Sequence, residues 1–296
     1  MANRNFSMCD FTVHEKIGSG VFGEVFKVKL ADTQEEYALK KINLQKFNAE
    51  KEQIYPRREE KIHKSLLHER IVAFKCSFID QNYLCLVLEL CRGGNLSQYI
   101  QRNDPCVKIK SFFKFTKQIC DGLEYIHSKD ILHRDLKPQN IFLTERKTIK
   151  IGDLGVARLL EDPKCRSILT VGIGTPYYMS PELMNGQEYN KQTDVWSMGC
   201  TLYEMATREH AFEASTIADL KAKVSSGMIP TKLDQSEYPS EIKQLISQMI
   251  QTDQNKRPSV QKIRESICQC EQQQTQNISS GYYSTRDTYD DSSGLG

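Results

Sequence analysis

Residues 11–90 carry short runs in which β-branched and aromatic residues partly alternate with polar ones. FTVHEKI (11–17), EVFKVKL (24–30) and EEYALKKI (35–42) show this period of two, which predicts strands. IVAFKCSF (71–78) and YLCLVLEL (83–90) predict two more. One helical pattern interrupts them from Arg57 to Leu67, with Ile62, Leu66 and Leu67 as its apolar positions. Pro56 stands just ahead of it, where a helix tolerates proline. After Arg92-Gly93-Gly94 the period lengthens. SFFKFTKQICDGLEYIHSK repeats apolar residues three and four apart, the mark of a long amphipathic helix. Further helices are predicted over Asp194–Ala206, Thr216–Ser225, Ser240–Gln251 and Ser259–Cys268. Past Cys270 the chain is polar and rich in Gln, Ser and Gly, without periodicity, which predicts disorder. The expected architecture is α+β and bilobal. An N-terminal extension (1–10) precedes a small β-rich lobe (11–90), a larger helical lobe (93–268) and a disordered polar tail (269–296).

Composition narrows this little. With 39% hydrophobic and 26% charged residues the chain has the make-up of an ordinary globular protein with a sizeable core. A net charge of +2 gives no reason to expect nucleic acid or an anionic membrane as partner. No apolar run approaches the roughly 18 residues of a membrane span, and MANRNFSMCDF lacks the apolar core of a signal peptide. The ten cysteines are scattered, without the paired spacing of a zinc site, and read as reduced thiols in a cytoplasmic or nuclear protein. No internal repeat or sustained heptad occurs, so nothing here predicts a coiled coil or fixes an oligomeric state.

The chemistry gathers in four places. Gly18, Gly20 and Gly23 lie between two predicted strands, where missing side chains let backbone amides approach a phosphate. A dinucleotide fingerprint would lead into a helix. Here a strand follows, which favours a flap over a nucleotide. Lys40 ends an apolar strand, a position usually solvated, and to hold phosphates it needs a carboxylate partner. With Ile62 and Leu66 turned inward, Glu59 shares their face, whereas Glu60 is expected in solvent. In His133-Arg134-Asp135-Leu136-Lys137-Pro138-Gln139-Asn140, Asp135 can orient a hydroxyl and accept its proton. Lys137 adds positive charge near a transferred phosphoryl group, and Asn140 offers a hard oxygen to magnesium. Asp153 follows across a hairpin through Thr144–Lys147 as a second magnesium ligand.

HRDLKPQN, the glycine loop, Ala38-Leu39-Lys40 and GTPYYMSPE (174–182) together resemble the signature set of the eukaryotic protein kinases, over residues 11–268. Lys137 resembles the serine/threonine type. GTPYYMSPEL, LVLEL, NIFL and the Asp153-Leu154-Gly155 motif resemble the NIMA-related (Nek) kinases. The resemblance implies transfer of the γ-phosphoryl of ATP to serine or threonine of protein substrates, with magnesium, for which manganese can substitute. It implies that Ile17, Gly18, Gly20, Gly23 and Val25 cover the nucleotide, and that Ala38 and Phe142 sandwich the adenine. Glu89 and Cys91 would offer hinge backbone groups, and Leu88 would guard the back pocket. Lys40 would hold the α- and β-phosphates, Thr175 would stand with Lys137 beside the acceptor hydroxyl, and Glu182 would pair with Arg257. Family analogy adds a cytoplasmic setting, with cytoskeletal, centrosomal, flagellar or nuclear association.

Regulation is predicted through Arg134, a cation beside the activation segment that a phosphate on Ser167 or, preferably, Thr170 would pair with. That segment is longer than in relatives of this type, so their phosphosite does not map cleanly onto it. His63 stands where an aliphatic residue is usual, and is expected as a hydrogen-bonded core residue able to loosen its helix. Val156 resembles enzymes that favour threonine acceptors. The competing readings are a scaffold without catalysis and a small-molecule kinase. The full set Lys40, Glu59, Asp135, Asn140 and Asp153 opposes the first, and GTPYYMSPE the second.

Overall fold

A computed structural model describes residues 5–20, 23–46, 54–159 and 176–284. Strands β1 (Phe11–Gly20), β2 (Gly23–Leu30), β3 (Glu36–Asn43), β4 (Phe74–Asp80) and β5 (Tyr83–Glu89) form one antiparallel sheet in the order β1-β2-β3-β5-β4. Cys85 and Val87 join Phe11, Val28, Leu30, Tyr37 and Leu39 in one apolar cluster. Leu84, Leu86 and Leu88 join Ile42 and Val72 in another. Strand β5 is therefore buried on both faces, which is why its sequence reads as a near-continuous apolar run rather than an alternation. Part of the N-terminal extension belongs to this lobe, because Phe6 packs on Phe11 with ring centroids 5.9 Å apart.

Helix α1 (Ile54–Ser65) lies along β4 and has Pro56 in its first turn. Leu67, expected on its apolar face, falls beyond the helix end and is 86% exposed; its N–H donates to Tyr125 Oη (2.9 Å). The large lobe holds α2 (Leu96–Arg102), α3 (Ile109–Ser128), α4 (Pro181–Met184), α5 (Gln192–Thr207), α6 (Ile217–Ser226), α7 (Lys232–Gln235), α8 (Ser240–Met249) and α9 (Val260–Ser284). Every residue of α5 from Thr193 to Thr207 is buried, so this helix is the axis around which the lobe packs. Two short ribbons, β6 (Ile131–Leu132) with β9 (Arg158–Leu159) and β7 (Ile141–Leu143) with β8 (Ile149–Ile151), frame the loops that face the small lobe.

The expected domain end at residue 268 is not where order stops. Helix α9 continues to Ser284, Cys270 is buried, and Lys117 of α3 pairs with Glu271. Ile263, Ile267 and Cys270 extend one helical stripe past the point where the composition turns polar. Residues 285–296 lie outside the described residues. Among the described residues no helix is long and apolar enough to cross a membrane.

Candidate active site

Two groups of polar side chains meet at the boundary between sheet and helices. The first is built on β3. Lys40 pairs with Val25 of β2 and Leu86 of β5, and its Nζ donates to Glu59 Oε1 at 2.6 Å and to Asp153 Oδ1 at 2.9 Å. Glu59 is 4% exposed on the inner face of α1, as the helical spacing requires. Glu60 is not left in solvent: it accepts from Ser77 Oγ of β4 at 2.6 Å. Burial works against the Lys40 ammonium, but its two carboxylate neighbours outweigh it and the pKa lies above the usual lysine range. Burial also opposes ionisation of Asp153, and Lys40 overcomes it, holding the carboxyl at about 2. For Glu59 burial prevails over Lys40 and the carboxyl sits above its ordinary value.

The second group hangs from Asp194, fully buried at the start of α5. Its Oδ2 accepts from the His133 N–H (2.9 Å) and from His127 Nε2 (2.8 Å), and its Oδ1 from the Arg134 N–H (2.8 Å). These bonds hold Arg134 at φ 67°, a left-handed backbone rarely adopted by a long side chain. The bend delivers the next residues to the cleft. Asp135 accepts from Lys137 Nζ at 2.9 and 2.7 Å and from Asn140 Nδ2 at 2.8 Å, and its side chain remains 23% exposed. His133 Nε2 reaches the Gly152 carbonyl (3.1 Å), and the Gly152 N–H donates to the Asn140 carbonyl (3.0 Å). The loop holding Asp135 is thus tied to the strand that leads into Asp153.

The donor set suits a hard divalent cation. Asn140 spends its Nδ2 on Asp135, leaving its Oδ1. Asp153 spends Oδ1 on Lys40, leaving its other oxygen on a side chain that is 42% exposed. Above this lies an apolar shelf. Ala38, Leu88, Cys91 and Phe142 belong to one cluster with Ile42, Val72, Leu84 and Leu86, so residues of both lobes contribute to it. Burial pushes the half-buried Cys91 thiol up to about 12. The Glu89 N–H donates to Ala73 O (2.9 Å), so what Glu89 has left for a ligand is its carbonyl. Its carboxylate is held by Lys150 (2.8 Å) and the Ala73 N–H (3.1 Å). Gly18 and Gly20 face Val25 and Gly23 in the β1–β2 hairpin, while Ile17 is half exposed on β1.

The protein kinase domain family matches residues 11–267. The chain belongs to the protein kinase family. It is 37% identical over 252 residues to serine/threonine-protein kinase Nek1 of Mus musculus, covering 85% of this chain and 20% of that protein. It is 38% identical over 249 residues to Nek4 of Mus musculus (83% and 31%) and 36% identical over 259 residues to Nek11 of Homo sapiens (86% and 39%). The chain therefore spans less than half the length of these curated relatives. They are Nek-type serine/threonine kinases, the family its motifs resemble.

In this member of the family the pairing expected at the base of the large lobe is formed. Arg257 Nη1 and Nη2 donate to Glu182 Oε1 (2.6 Å) and Oε2 (2.8 Å), both side chains buried. Arg134 places its guanidinium over the Tyr189 ring at 5.2 Å, and its Nε has no hydrogen-bond partner among the described residues. Thr175, Ser167 and Thr170 lie outside the described residues. Sequence reasoning missed Asp194 and His127 altogether. An acidic residue in the first turn of a helix ordinarily reads as a surface group favoured by the helix dipole, so the sequence carried no signal that Asp194 is buried. It also missed the direct Lys40–Asp153 contact, which joins residues 113 positions apart.

Proposed function

We propose that this chain is an active serine/threonine protein kinase of NIMA-related type, transferring the γ-phosphoryl of ATP to protein hydroxyls. The observation that carries the reading is simultaneous assembly: Lys40 is locked to Glu59 and Asp153 while Asp135 is locked to Lys137 and Asn140. A scaffold has no need of both groups at once. Magnesium bound with ATP neutralises charge that develops on the phosphates, and Asn140 Oδ1 and Asp153 would hold it. Lys40, kept charged by its neighbours, orients the α- and β-phosphates. Asp135 accepts a hydrogen bond from the incoming serine or threonine hydroxyl and takes its proton, while Lys137 stabilises charge on the transferred group. The glycine hairpin covers the phosphates, with Ile17, Val25, Ala38, Leu88 and Phe142 around the base and backbone groups of Glu89 and Cys91 against its edge.

Activation-segment phosphorylation fits the same geometry. Arg134 has a buried Nε without a hydrogen-bond partner among the described residues, so a phosphate on Ser167 or Thr170 would supply its acceptor. The acceptors and the cytoplasmic or cytoskeletal setting rest on family analogy alone.

The test is phosphate transfer from labelled ATP to a generic protein substrate, with Asp135→Asn as control. Loss of a positioned base predicts at least a ~100-fold fall in kcat, with binding of a fluorescent ATP analogue retained. Wild-type transfer no greater than that of the variant would overturn the reading.

A further inference from the structure

The Lys40–Glu59 pair depends on where helix α1 sits, and that helix is held to the rest of the molecule in part by polar ties. One of them is His63. Glu59, Ile62 and His63 are buried on α1, with Leu66 buried just past its end, and His63 is 1% exposed. Its Nε2 lies 2.6 Å from the Val72 carbonyl oxygen, so Nε2 carries the proton and donates. The same ring leaves Nδ1 buried without a hydrogen-bond partner among the described residues. An aliphatic side chain would fill this space without that cost, so the donor at Nε2 is what histidine adds. Burial drives the imidazole down to about 4, with the Val72 bond opposing and the nearby Lys40 assisting, so the ring is neutral near pH 7.

Val72 is a junction. Its carbonyl accepts from His63, and its N–H donates to Ile151 O at 2.9 Å; the Ile151 N–H in turn donates to Arg70 O at 2.7 Å. Ile151 ends β8, just before Gly152 and Asp153. The path from α1 to the magnesium aspartate therefore runs through one side-chain bond and one backbone bond. We infer that His63 is a positioning residue, a hydrogen-bonded tie that registers α1 against the Asp153 strand and so brings both carboxylates to Lys40 together. This rests on the reading of Lys40, Glu59 and Asp153 given above.

The test compares His63→Leu, which keeps apolar volume but donates nothing, with His63→Gln, whose amide can still reach the Val72 carbonyl. Leaving that carbonyl buried and unpaired predicts a roughly five- to tenfold fall in kcat/KM for the leucine variant, with weaker binding of a fluorescent ATP analogue and recovery of most activity by glutamine. In a Glu59→Gln background the effect of His63→Leu should shrink, because one of the two carboxylates that the tie positions is then gone. If His63 only fills space, leucine equals or exceeds wild type and glutamine is the worse variant, which overturns the inference. A loss that persists undiminished in the Glu59→Gln background overturns it too. Should the leucine variant not fold, His63→Gln is compared with the shorter His63→Asn, and equal activity of the two is the overturning result. An inactive wild-type chain would count against the kinase reading instead, so the two failures are distinguishable.

Discussion

The glycines of the β1–β2 hairpin are not interchangeable. A Cβ at Gly23 would overlap the Lys41 carbonyl on the neighbouring strand, so this glycine is required by the sheet itself. A Cβ at Gly20 would meet nothing within 4 Å, and one at Gly18 would meet only Val25 at ordinary distance (3.8 Å). The packing of the described residues therefore does not require a glycine at position 20, whereas the proposed approach of its backbone to a phosphate would. Gly23→Ala should lower the melting temperature, at ~1–3 kcal/mol for a forced backbone shift. Gly20→Ala should melt with wild type yet bind nucleotide more weakly. Thermal melts and ATP titration of the two variants check this, and a destabilised Gly20→Ala would show that the spare space is needed by the fold. From sequence, the glycine spacing pointed to phosphate for all three positions alike, because strand-to-strand approach is invisible before pairing is known. Glu59 was legible because one helical face settled the choice. Glu60 was misread because its partner, Ser77, comes from another element.

At the scale of elements, long periodic segments were legible and short ones were not. The five strands of the small lobe and helices α3, α5, α6 and α8 lie close to their sequence expectations. Helices α4 and α7 and strands β6 and β9 are too short for a period to show, and tertiary packing defines them. Helix α9 is the instructive case, because composition and periodicity disagree after Cys268. Glutamine-rich sequence argues for disorder, yet Cys270 still lies on the stripe of Ile263 and Ile267 that packs against α3, and Glu271 reaches Lys117. Burial decided the structure. A chain ending at residue 268 should be less stable than one ending at residue 276 by about 1–2 kcal/mol, mostly the buried Cys270 side chain, since the Lys117–Glu271 pair is part-exposed and contributes little. Identical melting temperatures for the two truncations would show that the helix past 268 adds nothing to the fold.

Over the whole molecule, ionic contacts divide by what they join. Across the lobe boundary, Arg92 links Glu36 of β3 (2.8 Å) to Glu145 of the β7–β8 turn (3.2 Å), and Lys150 meets Glu89; Arg92 is half exposed. The half-exposed Arg92 pairs are screened by salt and hold little energy, which would suit lobes that part in the proposed reaction. Within the large lobe the tie is of another kind. The Arg257 side chain has no exposed surface, and besides Glu182 it donates to the carbonyls of Gln192 (2.9 Å), Gln251 (2.7 Å) and Thr252 (3.2 Å). One guanidinium thus fastens α4, the start of α5 and the turn after α8 to one point. Its removal strands the Glu182 carboxylate, which burial already opposes and Arg257 keeps below its usual pKa range. Arg257→Ala should therefore cost ~3–5 kcal/mol, and Arg257→Lys should also destabilise, because an ammonium cannot reproduce the planar fork. Arg92→Ala should melt with wild type. Denaturant unfolding of the three variants checks the contrast. If Arg92→Ala were as damaging as Arg257→Ala, the exposed pairs at the boundary would hold as firmly as the buried one within the large lobe, and the contrast drawn from their exposure would fail.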